Sequence, residues 1–101
     1  MFAFSGAHFA APFDSNVAIP NVNNTNSSFA TCTTSNANDI LVAVVEVSGG
    51  VPPPAGWTQI TFANGVLAEY QSVSSIQSAT STGGVLANGG GSVCDAIIKG
   101  P

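Results

Sequence analysis

Few side chains in this sequence could do chemistry. The titratable set is His8, Lys99 and five carboxylates, Asp14, Asp39, Glu46, Glu69 and Asp95. His8 lies between Ala7 and Phe9 in an apolar stretch, with no Ser, Cys or carboxylate beside it to complete a nucleophile–base pair. One histidine without other good ligands also makes no zinc site. No two carboxylates share a D-x-D type loop, so calcium coordination has no signature. A carboxylate pair for glycoside cleavage would have to be assembled by the fold. Solvated strand faces are the simpler expectation for these groups, with Asp39 as a turn residue before a strand. The sequence therefore predicts no catalytic residue, no cofactor and no metal.

Cys32 and Cys94 lack any metal-type spacing. Three states stay open for them: an intrachain bridge, two buried thiols, or a bridge to a neighbouring subunit. An intrachain bridge would close a long loop and stabilise by roughly 4 kcal/mol. Trp57 and Tyr70 could form an aromatic platform for a sugar. Trp57 directly follows a proline loop and opens a strand, which favours a core anchor instead. Asn23-Asn24-Thr25 and Asn26-Ser27-Ser28 match the glycosylation acceptor pattern, a cheap match in so Asn/Ser/Thr-rich a stretch. Gly89 to Gly91 lacks the lysine and flanks of a phosphate loop and reads as a turn.

Charge narrows the choice of partners. Charged residues are 6% of the 101 positions, against about 25% in an average domain. Lys99 is the only cation, so phosphate neutralisation is out of reach and nucleic acid is excluded as a partner. A net charge of −4 opposes binding to anionic lipid. No apolar run approaches the roughly 20 residues of a spanning helix. No cationic segment followed by an apolar one opens the chain, so no secretory signal is expected. A chain with so little charge has little to keep copies apart and suits an assembly.

The elements that would carry these residues read as strands. Ile40 to Val47 is a β-branched run expected to be the central strand, covered on both faces, with Leu41, Val42, Val44, Val45 and Trp57 in the core. Trp57 to Phe62 and Val66 to Val73 flank Asn64-Gly65, a specific hairpin signal. In the second of these strands Val66, Ala68 and Tyr70 share one face, and Glu69 and Gln71 the other. Phe2 to Ser5, Val17 to Ile19, Phe29 to Thr34 and Val93 to Ile98 complete the short extended pieces, with Asp95 outward. Weaker strand potential lies around Ile76 and at Val85-Leu86. Asn21 to Ser28 is expected to be a surface loop. No segment carries a 3.6-residue period. Residues 1–101 are thus expected to form a single all-β domain, an antiparallel β-sandwich of jelly-roll or Ig-like type.

Pro53-Pro54-Ala55-Gly56-Trp57-Thr58, set between the central strand with its Gly49-Gly50 and a strand ending Glu69-Tyr70-Gln71-Ser72-Val73, carries a resemblance. It is similar to small β-sandwich domains found in structural proteins of tailed bacteriophages and in bacterial surface or secreted proteins. A closing strand like Ala96-Ile97-Ile98-Lys99-Gly100 is common there. A stretch like Phe4-Ser5-Gly6-Ala7 through Pro12-Phe13-Asp14 commonly follows such a strand, whereas here it opens the chain. The resemblance implies no catalytic residue. It implies a virion structural protein, most simply a capsid decoration (cement) protein in an extracellular particle, with other virion proteins and copies of itself as partners. The alternative is a carbohydrate- or receptor-binding module of a tail fibre or secreted protein. Residues 1–14 are expected to act as an interface arm through Phe2, Phe4, Phe9 and Phe13, four of the six phenylalanines. A short arm broken by Gly6 and Pro12 cannot easily bury all four in so small a domain.

Overall fold

The computed structural model describes residues 12–23, 29–47, 53, 55–82 and 90–99. Within them the chain is all-β: seven strands in two antiparallel sheets and no helix. The strands are β1 (Asn21–Asn23), β2 (Thr31–Cys32), β3 (Asp39–Glu46), β4 (Thr58–Ala63), β5 (Val66–Ser72), β6 (Thr80–Ser81) and β7 (Ser92–Ile98). Five form one sheet in the order β1-β7-β3-β5-β4, and β2 and β6 form a two-stranded ribbon.

β3 is central, as its β-branched run implies, and pairs with β7 on one side and β5 on the other. Its period-two pattern divides the sheet into two faces. Asp39, Leu41, Ala43 and Val45 are buried, and their register partners Ala96, Cys94 and Ser92 on β7 and Glu69 and Leu67 on β5 are buried with them. The ribbon lies on this face. Cys32 of β2 and Cys94 of β7 share a cluster with Ile19, Ala30, Leu41, Ala43, Trp57, Val73 and Ala96. Backbone amides tie the ribbon down: Ala30 N donates to Ser92 Oγ (2.7 Å) and Thr31 N to Asn21 Oδ1 (3.0 Å). The ribbon supplies a second layer over part of the sheet, which is consistent with a sandwich. A second cluster of Val45, Val47 and Leu67, with Phe62 against it, extends the same face towards β4.

The β4–β5 hairpin turns on Asn64-Gly65, with φ of 54° and 77°. Two successive positive φ values are the requirement of a type I′ turn, which Asn-Gly meets at little cost. A bulge interrupts the ladder between Gln59 and Thr61.

Several expectations need correction. Val17 and Ala18 form a turn, because Asn16 accepts the Ala18 amide through Oδ1 (2.9 Å) and the Ile19 amide through its carbonyl (3.2 Å). The strand begins only after the cis Ile19-Pro20 bond, in β1, where a loop was expected. β6 falls at Thr80–Ser81, and Ile76 is exposed. Val42 and Val44 are half-buried, so β3 is fully covered on one face only. Asp39 starts a strand, and Asp14, Asp39 and Glu69 are buried, so three of the five carboxylates are not on solvated faces. The arm residues Phe2, Phe4 and Phe9, His8 and Val85-Leu86 lie outside the described residues.

Candidate functional site

Two features of the described residues stand apart from ordinary core packing. The first is the outer face of the large sheet. Register pairing places Ile40, Val42 and Val44 of β3 beside Ile97, Asp95 and Val93 of β7, and beside Ser72, Tyr70 and Ala68 of β5. Val22 of β1 adds to it opposite Val93, and Val66 of β5 opposite Glu46. Phe13 bridges to Ile97, so its ring rises from the same face. Phe13 is 61% exposed, and so is Val22. The β-branched residues between them are half-buried, and no other described strand is stacked over them. A shallow hollow of about 210 Å³ opens among Val22, Val44, Glu46, Gly91, Ser92 and Val93. The charged groups around the face are few: Glu46 at one end, Asp95 within it and Lys99 at the other end. Lys99 Nζ is already spent on Ser72 Oγ (2.9 Å) and the Val73 carbonyl (3.0 Å). Such a face costs free energy in water, roughly 25 cal/mol for each Å² of apolar surface left uncovered.

The second feature is a pair of buried carboxyls on the ribbon side. The segment before β1 runs along the free edge of β7, with Ile98 N donating to the Pro12 carbonyl (2.7 Å) and Asp14 N to the Ala96 carbonyl (3.1 Å). This places the Asp14 side chain under the turn that precedes β3. Its Oδ1 accepts from Asn16 N (2.8 Å) and Ser35 N (3.1 Å), and its Oδ2 from Ser35 N (2.9 Å) and Asn36 N (2.8 Å). Burial pushes the Asp14 carboxyl up. The amide of Asn16, the nearby Asp39 carboxyl and the amides of Asn36 and Ser35 outweigh burial and hold it below the usual carboxylate value. Asp39 is fully buried, and neither of its carboxyl oxygens has a hydrogen-bond partner. Burial, then the nearby Asp14 carboxyl and its charge, lift the Asp39 carboxyl to about 7, against a smaller opposing pull from Lys99.

Glu69 is likewise fully buried with both oxygens unpartnered, and burial lifts it to about 7. It sits beside Ala43 and Gln59 in the register, on the ribbon side of the sheet. At neutral pH it is poised between its acid and its carboxylate.

The residues singled out by type separate as follows. Cys32 and Cys94 form a disulfide with Cα atoms 5.7 Å apart, and it staples the ribbon to β7. Trp57 is 8% exposed and belongs to the core, so it offers no open platform. Tyr70 is half-buried on the open face. Of the four arm phenylalanines, Phe13 alone lies among the described residues. No group of three metal-ligating side chains occurs among the described residues. The seating of Asp14 on the Ser35 and Asn36 amides has no sequence signal, since about 20 positions separate them and only the docking of the segment on β7 brings them together. The open face had a signal that pointed the other way: the unbroken apolar run of β3 reads as two covered faces, and the second cover is not among the described strands.

No family model matches the chain, and neither does any curated protein or solved structure.

Proposed function

We propose that this chain is a non-catalytic structural subunit that completes its packing inside a larger assembly. Within that class we propose a virion structural protein of a tailed bacteriophage, most simply a capsid decoration protein of an extracellular particle. The observation that carries this is the open apolar face of the large sheet with Phe13 beside it, on a chain with almost no charge to keep copies and partners apart. The Cys32–Cys94 disulfide supports a working life outside a reducing cytosol. The burial of Asp14, Asp39 and Glu69 supports a non-catalytic role, because none of them is presented to a substrate. The phage context rests on the resemblance at Pro53 to Thr58. Burial of Trp57 counts against the alternative of a carbohydrate-binding module.

The test is the composition of particles. Density-purified particles from a producing lysate are expected to contain the chain in many copies, and a chain carrying Val42→Lys and Val44→Lys is expected to be lost from them while keeping its β-sheet circular dichroism. Recovery of the wild-type chain only in the unsedimented fraction overturns the virion role. Specific binding of the purified domain to a glycan array, abolished by Tyr70→Ala, overturns the structural role in favour of the binding module.

A further inference from the structure

We propose that the open face of the large sheet is the contact of a two-fold homodimer, in which a second copy lies face to face on the first with its strands reversed. The dimer rests on the reading of that face as an assembly surface, and it commits the cover to a second copy of this chain. The side chains of the face fall into rows that cross the strands. The middle row is Val42 of β3 beside Asp95 of β7. One row towards the start of β3 stands Phe13, opposite Ile97. One row towards its other end stands Val22, opposite Val93. One row further out on each side are the charges, Lys99 at the Phe13 end and Glu46 at the Val22 end.

An axis through the middle row, lying between the sheets and across the strands, exchanges the two ends and keeps each strand over its own copy. It lays Phe13 of each copy on the hollow beside Val22 and Val93 of the other, and Lys99 of each against Glu46 of the other. The shapes match. Phe13 is the prominence of the face, 61% exposed, and the hollow of about 210 Å³ is its recess. The charges match as well. Lys99 Nζ donates to two neutral oxygens, Ser72 Oγ and the Val73 carbonyl, so one of its three hydrogens remains for a carboxylate. Glu46 is exposed, and its Oε1 accepts only a long bond from Gly91 N (3.3 Å) among the described residues. An axis along the strands would instead turn the Glu46 end on the Glu46 end and the Lys99 end on the Lys99 end. Asp95 alone opposes the arrangement, because it meets its own copy at the axis; its Oδ1 is turned back onto the Ala96 amide (2.8 Å). The rows span about 27 Å along the strands and about 19 Å across them, so the two copies cover on the order of 1,000 Å² in total. That is the lower bound of a specific interface, and dissociation is expected at roughly 1–100 μM.

The experiment is sedimentation equilibrium of the full, disulfide-bonded chain from about 1 μM to about 1 mM, with circular dichroism to verify the fold of each variant. A monomer–dimer equilibrium is expected for the wild type. Phe13→Ala should weaken it by at least about tenfold, because a ring is lost from both halves of the interface. Glu46→Lys and Lys99→Glu should each weaken it by about tenfold at low salt, since attraction becomes repulsion at two symmetric places. Mixed in equal amounts, these two chains should regain the wild-type affinity, because each supplies the charge that the other lacks. Asp95→Asn should tighten the dimer by removing the repulsion at the axis. A wild-type chain that is monomeric at about 1 mM overturns the dimer. So does a dimer that Phe13→Ala leaves unchanged, or a pair of charge variants that mixing does not rescue. Should the Lys99→Glu chain fail to fold, Phe13→Ala and Glu46→Lys decide. A chain that dimerises only after residues 2–11 are removed covers the face with its own first residues, which also overturns the dimer. A monomer that still enters particles overturns the dimer and leaves the assembly reading standing, whereas a dimer absent from particles overturns that reading alone.

Discussion

Removing the disulfide is the sharpest perturbation of this fold. Cys32→Ala with Cys94→Ala opens a closed loop of 62 residues. Closing a loop of that length removes unfolded-state entropy worth about 4 kcal/mol at 25 °C. Stability of a small domain is typically about 5–15 kcal/mol, so the loss is a large part of the whole. Entropy is only part of the effect, because the bridge holds the ribbon. β2 and β6 are two residues each, far too short to stand alone. They cover Leu41, Ala43 and Ala96 only while Cys32 is seated among these residues. The assay is urea unfolding followed by the fluorescence of Trp57, the single tryptophan, which is buried in that same cluster. With a slope of about 2 kcal/mol per molar urea, the midpoint should fall by about 2 M. A fall below about 0.5 M, with the wild-type bridge verified by mass spectrometry without reductant, would refute the assigned role of the ribbon.

Four further outcomes follow from the same geometry. Glu69 has a folded-state value near 7 against 4.5 for an ordinary glutamate, so its contribution is fully present below 4.5, declines between 4.5 and 7 and stays lost above 7. Glu69→Gln should flatten the pH dependence of urea stability by at most about 3 kcal/mol across that window, and an unchanged slope would show that Glu69 ionises freely in the fold. The two faces of β3 can be told apart directly: Val45→Asp should unfold the domain, whereas Val44→Lys should leave its thermal midpoint nearly intact, and equal damage from both would contradict the face assignment. Gly65→Ala should cost about 1 kcal/mol in chemical denaturation because φ is 77° there; a neutral result would mean that the turn is not the I′ form. Leu41→Ala should cost about 2–5 kcal/mol by the same measurement, and a cost below 1 kcal/mol would remove Leu41 from the packed layer.

Sequence by itself determined the local structure that short-range sterics control. The β-branched run of β3, the Asn64-Gly65 turn and the closing strand β7 all lie close to where the residue types place them. In each case φ/ψ preference and side-chain branching act within a few residues. The near absence of charge likewise sets the expectation of no nucleic-acid partner from composition alone. Tertiary structure alone decided which side of each strand turned inward. In β3 both faces are apolar, so its own pattern cannot choose between them, and the choice falls to whatever docks. The ribbon, stapled through Cys32 to Cys94, covers Leu41, Ala43 and Ala96, leaving Val42 and Val44 on the other side. Glu69 is buried for the same reason: its neighbours in the register point under the ribbon side, and the favourable packing of Leu67 and Val45 carries the carboxyl in with them. The seating of Asp14 under the turn before β3 required the segment ahead of β1 to find the edge of β7, a contact set by backbone hydrogen bonding that no side-chain pattern encodes.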